Sequence, residues 1–200
     1  MESITLRLAI TTTLLLLVLT STPCINAARS SPTSSFITLS CQTANYPQLC
    51  ITSLSTHAST IRNDPLQLTK TSVSVTLDAT KSVISLLSRL SRSGAMTPRE
   101  KAAVGDCAIT VGDAATQLQK SLEAMARGGK RGARAAQAGD AKTWVSAALT
   151  DENMCLEGFK GMGLEGEVKR LVKREIDNVV KLTSNALVFV NKLSTATSSP

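Results

Sequence analysis

The stretch TPREKAAVGDCAITVGDAATQLQKSLEAM, Thr97 to Met125, decides the fold. Thr97 followed by Glu100 is a capping box: the hydroxyl and the carboxylate can each satisfy a backbone N–H left open at a helix start. Pro98 suits the first turn, where its missing N–H is no loss. Val104, Cys107, Val111, Ala114, Leu118, Leu122 and Met125 then recur at steps of three and four, which line one face of an α-helix. Cys107 therefore points toward a core.

Working outward, three more segments carry the same period. Asp64 can cap a helix with Pro65 in its first position, and Val73, Leu77, Thr80, Ile84 and Leu87 form one face before Ser93-Gly94 ends it. From Glu167 to Leu193, Val168, Val172, Val179, Leu182, Ala186, Phe189 and Leu193 point inward, with Lys169, Arg170, Lys173 and Arg174 outward. Between these, Asp140 reads as the cap of a helix with Trp144, Ala148, Cys155 and Phe159 on one side, and Gly158, Gly161, Gly163 and Gly166 punctuate its end. The preceding RGGKRGARAAQAG, Arg127 to Gly139, reads as a mobile basic loop, because its glycines disfavour a helix. Four long amphipathic segments joined by modest loops predict an all-α antiparallel bundle. Ahead of it, two short segments between Phe36 and Asn63, broken at Asn45-Tyr46-Pro47, predict a helical hairpin.

The ends of the chain read differently. ITLRLAITTTLLLLVL, residues 4–19, has an uninterrupted apolar core only from Leu14 to Leu19, followed by polar residues and Pro23, which predicts a secretory signal at 1–27 instead of a membrane anchor. Cleavage after Ala27 removes Cys24 and turns five cysteines into four, Cys41, Cys50, Cys107 and Cys155, the parity that an oxidising compartment favours. Their spacing favours one local staple and one link between helices, while leaving the two crossed connectivities open. The polar residues 28–35 and 194–200 read as flexible ends around a domain at 36–193.

Removing residues 1–27 takes away Arg7 and Glu2 from totals of 22 basic and 15 acidic side chains, so the net charge stays at +7. That balance suits an acidic polysaccharide, anionic lipid heads or an acidic protein surface. Five aromatic residues, Phe36, Tyr46, Trp144, Phe159 and Phe189, and no nucleic-acid motif speak against nucleic acid as a partner. No membrane span is expected in the mature protein.

Catalytic constellations are missing. His57 is the only histidine, without the partners of a metal or triad site. Cysteine spacings of 9, 57 and 48 contain no short chelating pair, so neither a metal nor another cofactor is expected. Asp106, Asp113, Asp151 and Glu152 read as solvated or half-solvated helix positions and not as a catalytic carboxylate pair. Asn-x-Ser/Thr acceptor sites do not occur.

The Cys41 to Cys50 hairpin, the helix with Asp106-Cys107 and Asp113-Ala114, and WVSAALTDENMCLEGF from Trp144 to Phe159 together resemble the plant invertase/pectin methylesterase inhibitor family over about residues 36–193. The resemblance implies an up-down-up-down four-helix bundle behind a stapled α-hairpin, with Cys41 paired to Cys50 and Cys107 to Cys155. It implies a non-catalytic apoplastic protein that covers the active-site cleft of a cell-wall enzyme. The Trp144 to Phe159 stretch looks more like the pectin methylesterase branch, and the Pro-Lys-Phe tripeptide of the acid invertase inhibitors is missing. Target contacts are expected from Ile109, Asp113, Thr150, Asp151 and Met154. Two of these depart from the family pattern, in which glutamate often stands at the position of Ile109 and threonine at that of Met154. The alternatives to a pectin methylesterase inhibitor are an inhibitor of acid invertase, or a basic wall protein that holds acidic pectin through Arg127, Lys130, Arg131 and Arg134.

Overall fold

The computed structural model describes residues 32–94, 96–127, 131–161 and 166–198, with backbone alone at 131–134, 161, 197 and 198. The stretch at 1–27 expected as a signal, with Cys24, residues 28–31 of the segment expected to be flexible, the Gly-Gly-Lys at 128–130, Gly163 and the tail residues 199 and 200 lie outside the described residues.

Seven helices are described: α1 (Pro32–Cys41), α2 (Pro47–Ser55), α3 (Ala58–Ile61), α4 (Pro65–Arg92), α5 (Pro98–Ala126), α6 (Arg131–Gly161) and α7 (Glu167–Ser198). The last four form the bundle. Each packs on the next, and α7 returns to α4, so the ring closes with α5 diagonal to α7 and α4 diagonal to α6.

The helix starts follow the local chemistry. Asp64 Oδ1 accepts from Leu66 N at 2.8 Å and from Gln67 N at 3.4 Å. Thr97 Oγ1 accepts from Glu100 N at 3.2 Å, while Glu100 Oε2 accepts from Thr97 N at 2.8 Å, completing the capping box. The Thr97 N–H foremost, and then the Thr97 hydroxyl, which also donates to Oε2 at 2.8 Å, hold the Glu100 carboxyl below its ordinary pKa. Where α4 ends, Gly94 takes a φ of +59°, a left-handed conformation that costs glycine little.

Apolar side chains, mostly aliphatic, fill the bundle in two clusters. One contains Val83, Leu87, Val104, Val111, Phe159, Val172 and Ile176 around Cys107 and Cys155; the other contains Val73, Leu77, Leu118, Val145, Ala186 and Val190. Between them, at the middle of the helices, Thr80, Glu152 and Thr183 are all buried and form a polar layer. Helix α5 buries the face that its spacing predicts, except that Leu122 is only half-buried.

The hairpin of α1, α2 and α3 closes one end. Its own cluster, Ile37, Leu54 and Ile61 around Cys41 and Cys50, takes in Leu68 of α4 and Phe189 of α7. Buried Asn185 of α7 clamps the break between α1 and α2 in both directions: Tyr46 N donates to Asn185 Oδ1 at 2.8 Å, and Asn185 Nδ2 donates to Tyr46 O at 3.0 Å. Asn45 Nδ2 adds a bond to Ser184 Oγ at 2.7 Å. His57 is half-buried at the start of α3.

Several expectations need correction. Helix α6 begins at Arg131, so most of the stretch expected as a loop from Arg127 to Gly139 is helical. Its alanines and arginines are strong helix formers, and buried Ala138 and Ala141 pack into the bundle, which together offset the cost of glycine. Asp140 consequently lies inside α6 and caps nothing; its carboxylate pairs with Arg127 at 3.3 Å. Helix α1 takes in residues 32–35 from the segment read as flexible, and α7 runs on through 194–198. The hairpin also holds a third short helix, α3.

Two disulfides are present, Cys41–Cys50 with Cα atoms 5.6 Å apart and Cys107–Cys155 at 4.5 Å. The first closes a loop of 9 residues and the second one of 48, so the second removes more freedom from the unfolded chain. Replacing Cys107 and Cys155 together by alanine should lower the unfolding free energy in urea by about 2–4 kcal/mol. The corresponding Cys41→Ala/Cys50→Ala pair should lower it by less; the reverse order would show that the inter-helix link is not the larger constraint.

Candidate functional site: the exposed seam between α5 and α6

The Cys107–Cys155 bridge fixes the distance and register of α5 against α6, and two unusual side chains flank it. Ile109 is 66 % exposed and Met154 55 % exposed, and the only other exposed large apolar residues described are Leu39 and Tyr46. A β-branched residue and a thioether held in water next to a disulfide cost hydration free energy that a partner could recover.

The same seam carries polar groups at helical spacing. Asp113 stands one turn after Ile109, and Thr150 one turn before Met154; both are exposed. Gln117 Nε2 donates to Asp151 Oδ2 at 2.8 Å across the two helices, which marks the sides that they turn to each other. Asp113 precedes Gln117 by one turn and Met154 follows Asp151 by one, so both belong to that seam. Asp151 is itself half-buried and committed to Gln117. Further along, the Lys120 ammonium lies 4.5 Å from the centre of the Trp144 ring, a cation–π contact joining α5 to α6. The face is thus rigid, mixed in polarity and open. No group of side chains suited to a metal ion occurs among the described residues.

Beneath the seam lies a carboxyl group that the sequence reading misplaced. Glu152 is fully buried, not solvated. Thr183 Oγ1 lies 2.8 Å from Glu152 Oε1 and 3.0 Å from Val179 O. Thr183 has one hydroxyl proton, and the Val179 carbonyl can only accept. Both contacts become full hydrogen bonds when Glu152 is protonated, donating to Thr183 while Thr183 donates to Val179. Glu152 Oε2 has no hydrogen-bond partner. Loss of water around the charged form pushes the Glu152 pKa up to about 8; the Thr183 bond opposes this and the Asp151 charge adds to it.

A family model described as plant invertase/pectin methylesterase inhibitor matches residues 35–189. The chain belongs to this family. Among its curated relatives, the "21 kDa protein" of Daucus carota is 36 % identical over 173 residues, covering 84 % of this chain and 88 % of the relative. "Pectinesterase inhibitor 9" of Arabidopsis thaliana is 36 % identical over 194 residues, covering 91 % and 94 %. "Pectinesterase inhibitor 11" from the same plant is 35 % identical over 188 residues, covering 88 % and 93 %. Two crystal structures of pectin methylesterase inhibitors from Arabidopsis align with TM-scores of 0.61 and 0.55, at 22 % and 23 % identity. They cover 76 % and 80 % of this chain, and 92 % and 97 % of their own chains. At that identity the structural likeness speaks for the fold.

Within this inhibitor-family chain, Asp113 and Met154 lie at the open seam, one turn from Gln117 and Asp151, and Ile109 and Thr150 are exposed one turn further along α5 and α6, whereas Glu152 went unrecognised. Its signal was present: Val145, Ala148, Glu152, Cys155 and Phe159 follow steps of three and four, the same period as the core face.

Glu152 ties stability to pH. The unfolded chain releases this proton near pH 4.5 and the native bundle near pH 8, so between them the native state holds more protons and stability falls as pH rises. The fall is on the order of 5 kcal/mol across that window, levelling off above it. Glu152→Gln keeps the shape and a donor for Thr183 and cannot ionise. Urea midpoints at pH 5 and pH 8 should therefore differ strongly in the native protein and little in the variant; parallel curves for both would refute the assignment.

Proposed function

We propose that this protein is an exported inhibitor of pectin methylesterase that lays the α5–α6 seam over the enzyme's substrate cleft. The observation that carries the reading is the pair of solvent-exposed apolar side chains, Ile109 and Met154, held beside a disulfide on a rigid two-helix face. A preformed face loses little conformational freedom on docking, and no catalytic group is needed to exclude a polymeric substrate from a covered cleft. Family membership and the names of the pectinesterase inhibitor relatives support the choice of target.

Magnitudes separate the two departures: a methionine at 154 can contribute more than a threonine hydroxyl, whereas a charged contact from glutamate at 109 is worth about 1.5–3 kcal/mol, as much as a buried isoleucine. A neutral hydrogen bond from threonine contributes about 0.5–1.5 kcal/mol net. Fully burying an isoleucine or methionine side chain contributes about 1.5–3 kcal/mol. Ile109 and Met154 therefore make the docking more apolar and less sensitive to salt than glutamate and threonine would.

Export to the cell wall fits the same reading. Two buried disulfides call for an oxidising compartment, which the signal at 1–27 would supply. No described helix is long and apolar enough to cross a membrane.

Titrating pectin methylesterase with the mature protein should abolish activity near stoichiometry, while acid invertase assayed in parallel keeps its activity. Undiminished pectin methylesterase activity at excess protein would remove the proposal. The double variant Ile109→Asp/Met154→Asp should raise the inhibition constant about tenfold or more. Its melting temperature should stay within about 2 °C of the parent, since both positions are exposed. Equal inhibition by parent and variant would move the contact surface elsewhere.

A further inference from the structure

The outward side of α7 presents a second surface, away from the seam. Arg170, Lys173, Arg174, Asp177, Asn178 and Lys181 line a shallow groove of about 430 Å³. From residue 169 to 181 the helix carries five cations against two carboxylates, a net +3 out of the chain's +7. Lys173 pairs with Asp177 and Arg174 with Glu175, yet among the described residues no carboxylate pairs with Arg170 or Lys181. On its α4 side the groove adjoins a second one, lined by Arg89 and sharing Asn178. Cations at 170 and 174 stand one turn apart and the one at 181 two turns further on, together spanning about 16 Å at a rise of 1.5 Å per residue.

One end of this row is aromatic. Tyr46 is 39 % exposed, and the Lys181 ammonium lies 5.8 Å from its ring centre. Its backbone is fixed to α7 by both bonds to Asn185, so the ring stands at the end of the cationic row as part of a rigid surface.

We propose that the outer face of α7, from Arg170 to Lys181 and ending on Tyr46, is a docking surface for a carboxylate-bearing polysaccharide. A polyuronate offers one carboxylate per ring, at a spacing comparable to a helical turn, and arginine forks match carboxylates in a bidentate manner. Asn178 offers donors and an acceptor to ring hydroxyls, and the Tyr46 ring offers an apolar platform for the C–H face of a sugar. An anionic bilayer fits less well: none of the exposed large apolar residues lies on α7, so nothing there can insert among acyl chains. Because α7 stands diagonal to α5, a polymer on this surface leaves Ile109 and Asp113 uncovered. The inference does not depend on the inhibitor reading, and its test contains no enzyme.

The test measures binding of the full mature chain to polygalacturonate, to fully methyl-esterified pectin and to phosphatidylserine vesicles. Polygalacturonate should bind, with affinity falling steeply between about 50 and 200 mM salt, and the uncharged ester should not. The variant R170Q/K173Q/R174Q/K181Q should weaken binding about tenfold or more, while its thermal melt stays near that of the parent. Tyr46→Ala should weaken it about threefold and leave the salt dependence unchanged. Binding by the quadruple variant equal to the parent, equal retention on the vesicles, or an equal loss in R127Q/K130Q/R131Q/R134Q would overturn the proposal, as would failure of the parent to bind polygalacturonate.

Discussion

The link between Cys107 and Cys155 is the constraint on which the rest of this molecule depends. It brings two helix backbones to 4.5 Å between Cα atoms, inside the apolar cluster that also holds Ala103, Val104, Val111 and Phe159. Everything beside the link inherits its register: the Gln117–Asp151 bond, the stacking of Lys120 on Trp144, and the outward display of Ile109 and Met154. A core this poor in aromatic residues has little bulk with which to set helix spacing, so a covalent bond takes over part of that role.

How much of this was legible before the structure depended on the kind of signal. Helix starts that rest on local chemistry, Asp64-Pro65 and Thr97-Pro98-Arg99-Glu100, appear where the residues place them, because the groups that satisfy one another are within three positions. The stretch after Arg127 went the other way. Glycine there weakens a helix locally, but packing of Ala138 and Ala141 in the bundle outweighs that preference, and burial cannot be read from a window of thirteen residues. Asp140 was misread with it, since a cap was inferred from a loop that is mostly helix.

Glu152 shows a different failure. Residue type argued for solvent and periodicity argued for the core, and the period was right. A charged residue is admitted there because the bundle interior can hold it uncharged, in a layer with Thr80 and Thr183 that separates two apolar clusters. The surface divides as clearly as the interior: apolar side chains are displayed beside the disulfide, and cations along α7. Neither face could be assigned from the net charge, which is a property of the whole chain and says nothing of where the charges gather.

Trp144 has one more consequence. It is the only indole in the chain, half-buried at the α5–α6 seam under the Lys120 ammonium. Its emission is therefore a local signal, uncontaminated by any second tryptophan. The hue and intensity of that single fluorophore report whether the two helices stand together, so the molecule carries its own optical gauge of the face through which it would meet a partner.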